Sequence, residues 1–272
     1  MFGDSYRATI ASIHADSELL LPPDVIRDGF LVPSVQIGVS LYIFLAVSLF
    51  LLRNRKGSRR LAFQATNLVV NTILGIAGFA YLVQRQTPWN APVVERLQGH
   101  LDMHWFSAFQ LGFQYWSIPI GLWVGEDPIM IGHHVGVVVV SMLSGLFVNG
   151  YRFYTPFFFG LIELSTIPLV FVNVLKDQPE LASPEFAHKV RLVFAGSFLT
   201  VRILLFLPWV SMYLTDLASL LSHGGPLWYC ALATFVFTAS VAIAGLQLFW
   251  GNKVIKALLK AIRGERPKTK TV

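Results

Sequence analysis

Seven long apolar runs dominate the sequence and restrict the structures that it can form. Each run approaches the roughly 20 residues that an α-helix needs to cross a hydrocarbon core of about 30 Å. The runs are continuous rather than alternating, which disfavours membrane-spanning strands. The sequence therefore predicts an all-α, polytopic transmembrane helix bundle of about seven spans. The expected spans are 31–52, 62–82, 105–123, 130–148, 154–174, 190–213 and 227–250.

The distribution of charge predicts the orientation of this bundle. Charged residues make up only 13% of the chain, whereas about a quarter of residues are charged in a typical soluble domain. With seven spans, fifteen of the 21 Lys and Arg residues fall on one side of the membrane and five on the other. Because cytosolic loops are enriched in Lys and Arg, we expect an external or lumenal N-terminus and a cytosolic C-terminus. Basic loops beside anionic lipid explain the net charge of +6 without nucleic acid.

One membrane domain with two tails is the expected organisation. Residues 1–30 form an N-terminal lumenal segment, residues 31–250 the transmembrane bundle, and residues 251–272 a basic cytosolic tail. The first segment lacks the basic start and apolar core of a cleavable signal peptide. The single cysteine, Cys230, excludes an internal disulfide and a cysteine-based metal site.

The basic tail carries a candidate address. Lys268 and Lys270, five and three residues from the end of the sequence, resemble the cytosolic dilysine signal that returns membrane proteins to the endoplasmic reticulum. Such a signal is read by a receptor and is not an anchor. It implies an endoplasmic-reticulum location and recognition by a coat protein; the alternative is an ordinary basic tail.

Two adjacent histidines, His133 and His134, lie near the start of the fourth expected span. Neighbouring residues point about 100° apart on an α-helix, so only one of the two is expected to face a given small ligand. An imidazole at this position could act as a general base or as an acyl-accepting nucleophile. The alternative is a pair of neutral, hydrogen-bonded histidines near the membrane interface.

Glu163 and Arg202 lie roughly midway along the fifth and sixth spans. A central charge costs roughly 2.5 to 3.5 kcal/mol on insertion scales, and their matching depths predict an intramembrane ion pair that offsets this cost. A second interpretation places Glu163 in a cavity for a lipid head group, as a candidate catalytic residue beside the histidines. Pro168 and Pro208 fall inside the same two spans and predict kinks.

His100 and His104 have the spacing of metal-ligating histidines, with Asp102 between them. The expected topology puts this pair on the lumenal side and the His133-His134 pair on the cytosolic side, about a bilayer thickness away. A shared metal site is therefore excluded, and no metal or bound cofactor is expected.

In combination, several of these residues resemble the TLC-domain family. The resemblance covers roughly residues 58–262 and is closest to the small TLC-domain-containing proteins, with six spans in the TLC-like core. It is carried by Asn67, the His133-His134 pair, Tyr154-Thr155-Pro156, Glu163-Leu164-Ser165-Thr166-Ile167-Pro168, Val201-Arg202-Ile203 with Pro208, and the stretch from Trp250 to Lys260.

The resemblance implies a membrane protein concerned with lipids. The ceramide synthases of this family join a sphingoid base to an acyl-CoA, and their histidine pair matches His133 and His134. Where the ceramide synthases carry further acidic residues, this chain offers only Glu163; Gln114 and Ser117 occupy the neighbourhood of an acidic residue of their third span. The first expectation is thus a protein that handles or senses phospholipids or sphingolipids.

Two other functions stay open at this point. One is a lipid acyltransferase with acyl-CoA as co-substrate and His133 or His134 as base or nucleophile. The other is a non-catalytic cargo or chaperone protein of the endoplasmic reticulum. Membrane lipids are the expected partners in every case, and an oligomer is compatible with all three functions.

Overall fold

The structure, a computed structural model, describes residues 20–84, 88–147, 149–222, 224 and 226–263. Within these residues every regular element is helical, apart from one isolated β-bridge between Leu20 and Phe147. The predicted all-α membrane bundle is confirmed. Lys268 and Lys270, and most of the expected N-terminal segment, lie outside the described residues.

Each expected span falls on one long helix. The last two helices extend well beyond the expected ends, and helix continues through residues 251–262, where the basic tail was expected. In the described part of the chain the helices are α1 Pro23–Leu52, α2 Ser58–Val83, the short α3 Val93–Gln98, α4 His104–Val124, α5 Pro128–Leu146, α6 Pro156–Asp177, α7 Pro184–Ser222 and α8 Leu227–Ile262.

The ends of the bundle are defined by the connections that meet there. At the basic end, residues 53–57 meet the 178–183 connection, where the side-chain amide of Gln178 donates to the Lys56 carbonyl at 2.7 Å. The turn Gly125–Asp127 closes the same end, and the Asp127 carboxylate accepts from the Ile129 amide to start α5. The distal end carries residues 88–103 and 149–155, the end of α7 and the start of α8.

Helix α4 occupies the centre of the bundle. Of its 21 residues, twelve are buried, and it alone among the seven long described helices falls short of the mean hydropathy of a membrane span. Its buried polar side chains are His104, Ser107, Gln110, Gln114 and Ser117. A helix shielded from lipid by its neighbours can carry such residues because they find partners within the protein.

Irregular helical turns precede Pro168 in α6 and Pro208 in α7. Helix α6 starts with a π-helical segment Pro156–Gly160 and a 3₁₀ segment Leu161–Ser165, and α7 contains a π-helical segment Thr200–Leu205. Proline has no amide hydrogen and its ring clashes with the carbonyl four residues earlier. For Pro168 and Pro208 that carbonyl lies within an irregular segment, which accommodates the proline.

Two glycines bring α2 and the start of α6 into backbone contact. A Cβ atom built on Gly78 would collide with the Leu161 amide nitrogen and lie 2.5 Å from the Pro156 carbonyl oxygen. A Cβ atom on Gly160 would lie 2.6 Å from the Gly78 Cα. The two backbones therefore pack with no side chain between them, as in other small-residue contacts of membrane helices.

A buried ion pair closes the distal end. The Arg96 guanidinium donates to both carboxylate oxygens of Asp216, at 2.8 and 2.6 Å, and Asp216 is 1% exposed. The Tyr154 hydroxyl donates to the same carboxylate. The Asp216 carboxylate raises the pKa of Arg96, and burial together with this hydrogen bond raises the pKa of Tyr154, so both remain donors.

Gly78→Ala is expected to destabilise the bundle. The added methyl group would strike backbone atoms, which cannot move aside as a side chain can, so the cost should reach or exceed the 1–3 kcal/mol typical of overpacking. The measurement is the melting temperature of the purified protein in detergent.

Gly196→Ala in α7 is the matched control, because a Cβ atom there meets nothing within 4 Å. Alanine is favoured over glycine inside a helix by roughly 0.5–1 kcal/mol, so this variant should melt at or above the wild-type temperature. A Gly78→Ala protein as stable as Gly196→Ala would show that the two backbones do not pack this closely.

Candidate functional site

A cavity of about 700 Å³ lies among α2, α4, α5, α6, α7 and α8. It reaches the surface at the basic end, where its mouth is lined by the exposed side chains of Arg60, Asp127, Lys176 and Lys253. Its volume falls within the usual range of roughly 300–1,000 Å³ for small-molecule sites. The cavity is therefore large enough for a lipid and accessible from one end of the bundle.

The cavity wall changes character with depth. Inward from the mouth, polar side chains of five helices form what we call the polar belt: Gln114, His133, His134, Glu163, Arg202 and Gln247. Further towards the distal end the wall is mostly aliphatic and aromatic, and we call this part the inner chamber: Val140, Phe158, Phe206, Val210 and Tyr213, with the hydroxyl side chains of Ser144 and Ser240 beside them. Tyr151 and Tyr154 line the cavity where the chain closes the distal end.

Both histidines line this cavity, on adjoining parts of its wall. The His134 Nε2 lies 3.3 Å from the buried Ser117 hydroxyl of α4, while the His133 ring lies 6.3 Å from the Trp250 ring of α8. Within the described residues, the Nδ1 atoms of both rings lack a hydrogen-bond partner. Because Ser117 occupies Nε2 of His134, Nδ1 is the nitrogen of that ring left for a ligand.

Glu163 and Arg202 lie next to each other in the same wall. The shortest distance between the guanidinium and the carboxylate is 3.6 Å, and the hydroxyl of Thr166 bridges them. Thr166 donates to Glu163 at 2.7 Å and accepts from Arg202 at 2.8 Å, while Ser165 accepts from the Arg202 Nε at 2.7 Å. The short string 163–166 thus surrounds one arginine.

His100 and His104 do not come together as a site. His104 is buried, its Nε2 lies 2.8 Å from the Gly145 carbonyl oxygen, and its ring stacks on Phe30. His100 is exposed at the distal end. Across the described residues there is no group of three or more His, Cys, Asp or Glu side chains that could hold a metal ion.

The comparison with known families decides the relationship. A family model for the TLC domain matches residues 61–256, which is more than half of the chain. The chain belongs to the TLC-domain family. The matched region runs from α2 into α8 and leaves α1 outside. Neither the curated proteins nor the solved structures contain a match to the chain.

Several residues of this TLC-domain site were not predicted from the sequence. Gln247 and Tyr213 line the cavity, and Arg96 and Asp216 close the end beneath it. Asp216 is an acid at the end of a span, and Arg96 is a base in the connection expected on the same side. Their opposite charges, on the same expected side of the membrane, were the one signal in the sequence that could have predicted the pair.

A double-mutant cycle is expected to detect the coupling between Glu163 and Arg202. Glu163→Gln or Arg202→Gln alone leaves a buried charge without its partner, which typically costs 3–5 kcal/mol. The double variant removes both charges and should recover part of that loss. The measurement is the free energy of unfolding of the four proteins in mixed micelles.

Arg60 and Asp177 provide the control cycle, because this pair at 3.3 Å is partly exposed at the basic end. Exposed pairs couple by roughly 0.2–1 kcal/mol. A Glu163–Arg202 coupling no larger than this control would reject the buried pair, and the three hydroxyl and carboxylate contacts of Arg202 would then be of minor energetic importance.

Proposed function

We propose that this TLC-domain protein handles a membrane lipid in its cavity, with His133 and His134 at the lipid's polar part. The observation that carries the proposal is a polar belt with two imidazoles between a mouth and an apolar chamber. Ligand sites commonly combine an apolar wall with a few convergent polar groups. A cavity of this kind suits an amphiphile better than a wholly polar metabolite.

The location that fits this proposal is the endoplasmic-reticulum membrane. Basic residues concentrate at the end of the bundle that carries the mouth, and such residues favour the cytosolic side. With that orientation, the C-terminus is cytosolic and the lipid enters from the cytosolic leaflet. Lys268 and Lys270 then supply a dilysine retrieval signal for a coat protein.

A second candidate function is an acyltransferase that uses acyl-CoA. The observation that favours it is that both imidazoles line the cavity and that their buried Nδ1 atoms have no hydrogen-bond partner among the described residues. Such a nitrogen could remove a proton from an acyl acceptor or accept the acyl group itself. Lys176 and Lys253 at the mouth suit the phosphates of acyl-CoA.

Removal of both imidazoles should abolish the function. In a cell line that lacks the protein, His133→Ala/His134→Ala is expected to leave the lipid composition uncorrected, whereas the wild type restores it. His100→Ala is the matched control, because this histidine is exposed far from the cavity. Quantitative lipidomics, with equal protein levels verified, is the measurement. Full rescue by the double variant would assign the histidines a structural role and favour the cargo function.

Loss of the two tail lysines should release the protein from the endoplasmic reticulum. Lys268→Ala/Lys270→Ala removes both charges that a coat protein would recognise, so the variant is expected at the cell surface. Lys256→Ala/Lys260→Ala is the control: it removes two exposed lysines of α8, so its net charge equals that of the tail variant. Surface biotinylation measures the difference; identical surface levels for the two variants would reject the retrieval signal.

A further inference from the structure

Four buried atoms of the polar belt lack a hydrogen-bond partner within the described residues. They are the Oε1 atoms of Gln114 and Gln247 and the Nδ1 atoms of His133 and His134. They come from three helices, α4, α5 and α8, and all four side chains line the cavity. Since buried polar groups in proteins are nearly always hydrogen-bonded, four such atoms on side chains of one cavity wall point to a polar ligand group at this depth.

The two glutamine oxygens set the chemistry of that group. Gln114 and Gln247 are 2% and 1% exposed, and an amide oxygen only accepts hydrogen bonds. The Gln114 amide nitrogen donates to Gln110 at 3.0 Å, which directs its oxygen away from that neighbour. A neutral imidazole nitrogen donates or accepts according to its tautomer. The belt therefore requires a ligand that donates at least two hydrogen bonds.

The charge of the belt disfavours an anionic ligand group. The positive charge of Arg202 is already matched by Glu163, and its Nε and Nη2 donate to Ser165 and Thr166. A phosphate or carboxylate placed here would face the partial negative charge of two amide oxygens instead. Hydroxyl groups supply donors without any charge that must be desolvated.

The depth of the inner chamber matches the length of one acyl chain. Val140 and Ser144 of α5 line the cavity below His134. From His134 to Ser144 the helix rises by about 15 Å, which is half of the roughly 30 Å hydrocarbon core. The chamber thus extends by about the depth of one leaflet, enough for one acyl chain of a membrane lipid.

We infer that the cavity holds an uncharged lipid whose head group bears at least two hydroxyl groups, such as a monoacylglycerol. The hydroxyls donate to Gln114 and Gln247, the histidines contact the same head group, and the chain occupies the inner chamber. This inference rests on the proposed function, since it specifies the lipid that the cavity takes.

Binding of matched lipids to the purified full-length protein tests the inference. The probes share one oleoyl chain or its equivalent length and differ in the head group: monooleoylglycerol, oleate, oleoyl-lysophosphatidylcholine and sphingosine. Monooleoylglycerol is expected to raise the melting temperature and to bind at least tenfold more tightly than the other three. The dissociation constant is measured by microscale thermophoresis at pH 7.4 in a non-glycosidic detergent.

Substitutions in the belt locate the bound head group. Gln247→Leu and Gln114→Leu each remove one acceptor at similar volume, and each is expected to weaken monooleoylglycerol binding at least tenfold. Gln36→Leu is the control, because Gln36 is exposed on α1 away from the cavity, and its binding should equal the wild type. The melting temperature without lipid shows that each variant is folded, and the two independent belt variants protect the test against the failure of one.

The outcomes separate the inference from the proposed function. Tighter binding of oleate, lysophospholipid or sphingosine would overturn the inference and leave a lipid-handling protein. Equal monooleoylglycerol binding by Gln247→Leu, Gln114→Leu and Gln36→Leu would also overturn it, since the head group would then lie elsewhere. If no probe shifts the melting temperature, the belt holds water only and the inference is rejected, whereas the proposed function is decided by the lipidomics of the His133→Ala/His134→Ala variant.

Discussion

The backbone contact between Gly78 and Gly160 determines where the start of α6 lies, and the cavity wall depends on that position. With no side chain between α2 and α6, the irregular segment 156–165 sits directly against its neighbour. A regular α-helix would turn successive side chains by about 100°. The 3₁₀ turns of 161–165 instead bring Glu163 and Ser165, together with Thr166, around the single guanidinium of Arg202. The position of the polar groups around Arg202 thus depends on the contact between Gly78 and Gly160, which involves no polar side chain.

A large cavity inside a membrane bundle needs support at both of its ends. At the distal end, Asp216 holds Arg96 and Tyr154 together, which joins the 88–103 connection to α7. At the basic end, Gln178 with Lys56 joins two connections and the partly exposed pair Arg60–Asp177 joins α2 to α6, beside the open mouth of the cavity. The cavity is therefore closed by a buried ion pair at the distal end, whereas long charged side chains such as Arg60, Lys176 and Lys253 line its mouth at the basic end. A lipid bound as we propose would therefore adopt one orientation in the cavity.

Sequence reasoning predicted the spans because a membrane requires long apolar helices whatever their neighbours. It also predicted the contact of Glu163 with Arg202 as a hypothesis, since two opposite charges at one depth have few other partners. The sequence could not predict how each helix is rotated about its own axis. A helix that is apolar on every side carries no pattern to show which side faces a cavity, so Gln247 and Tyr213 were not identified. The irregular turns that place Thr166 between two charges likewise depend on tertiary packing.

The low hydropathy of α4 has a consequence for membrane insertion during synthesis. The other six long helices described are apolar enough to partition into lipid as they leave the translocon, whereas α4 carries buried serines and glutamines that lipid does not solvate. Its partners Phe159 and Ser144 belong to α6 and α5, which are synthesised later. Stable insertion of α4 therefore requires α5 and α6 to be synthesised first. The most central helix of the bundle is among the last to reach its final packing.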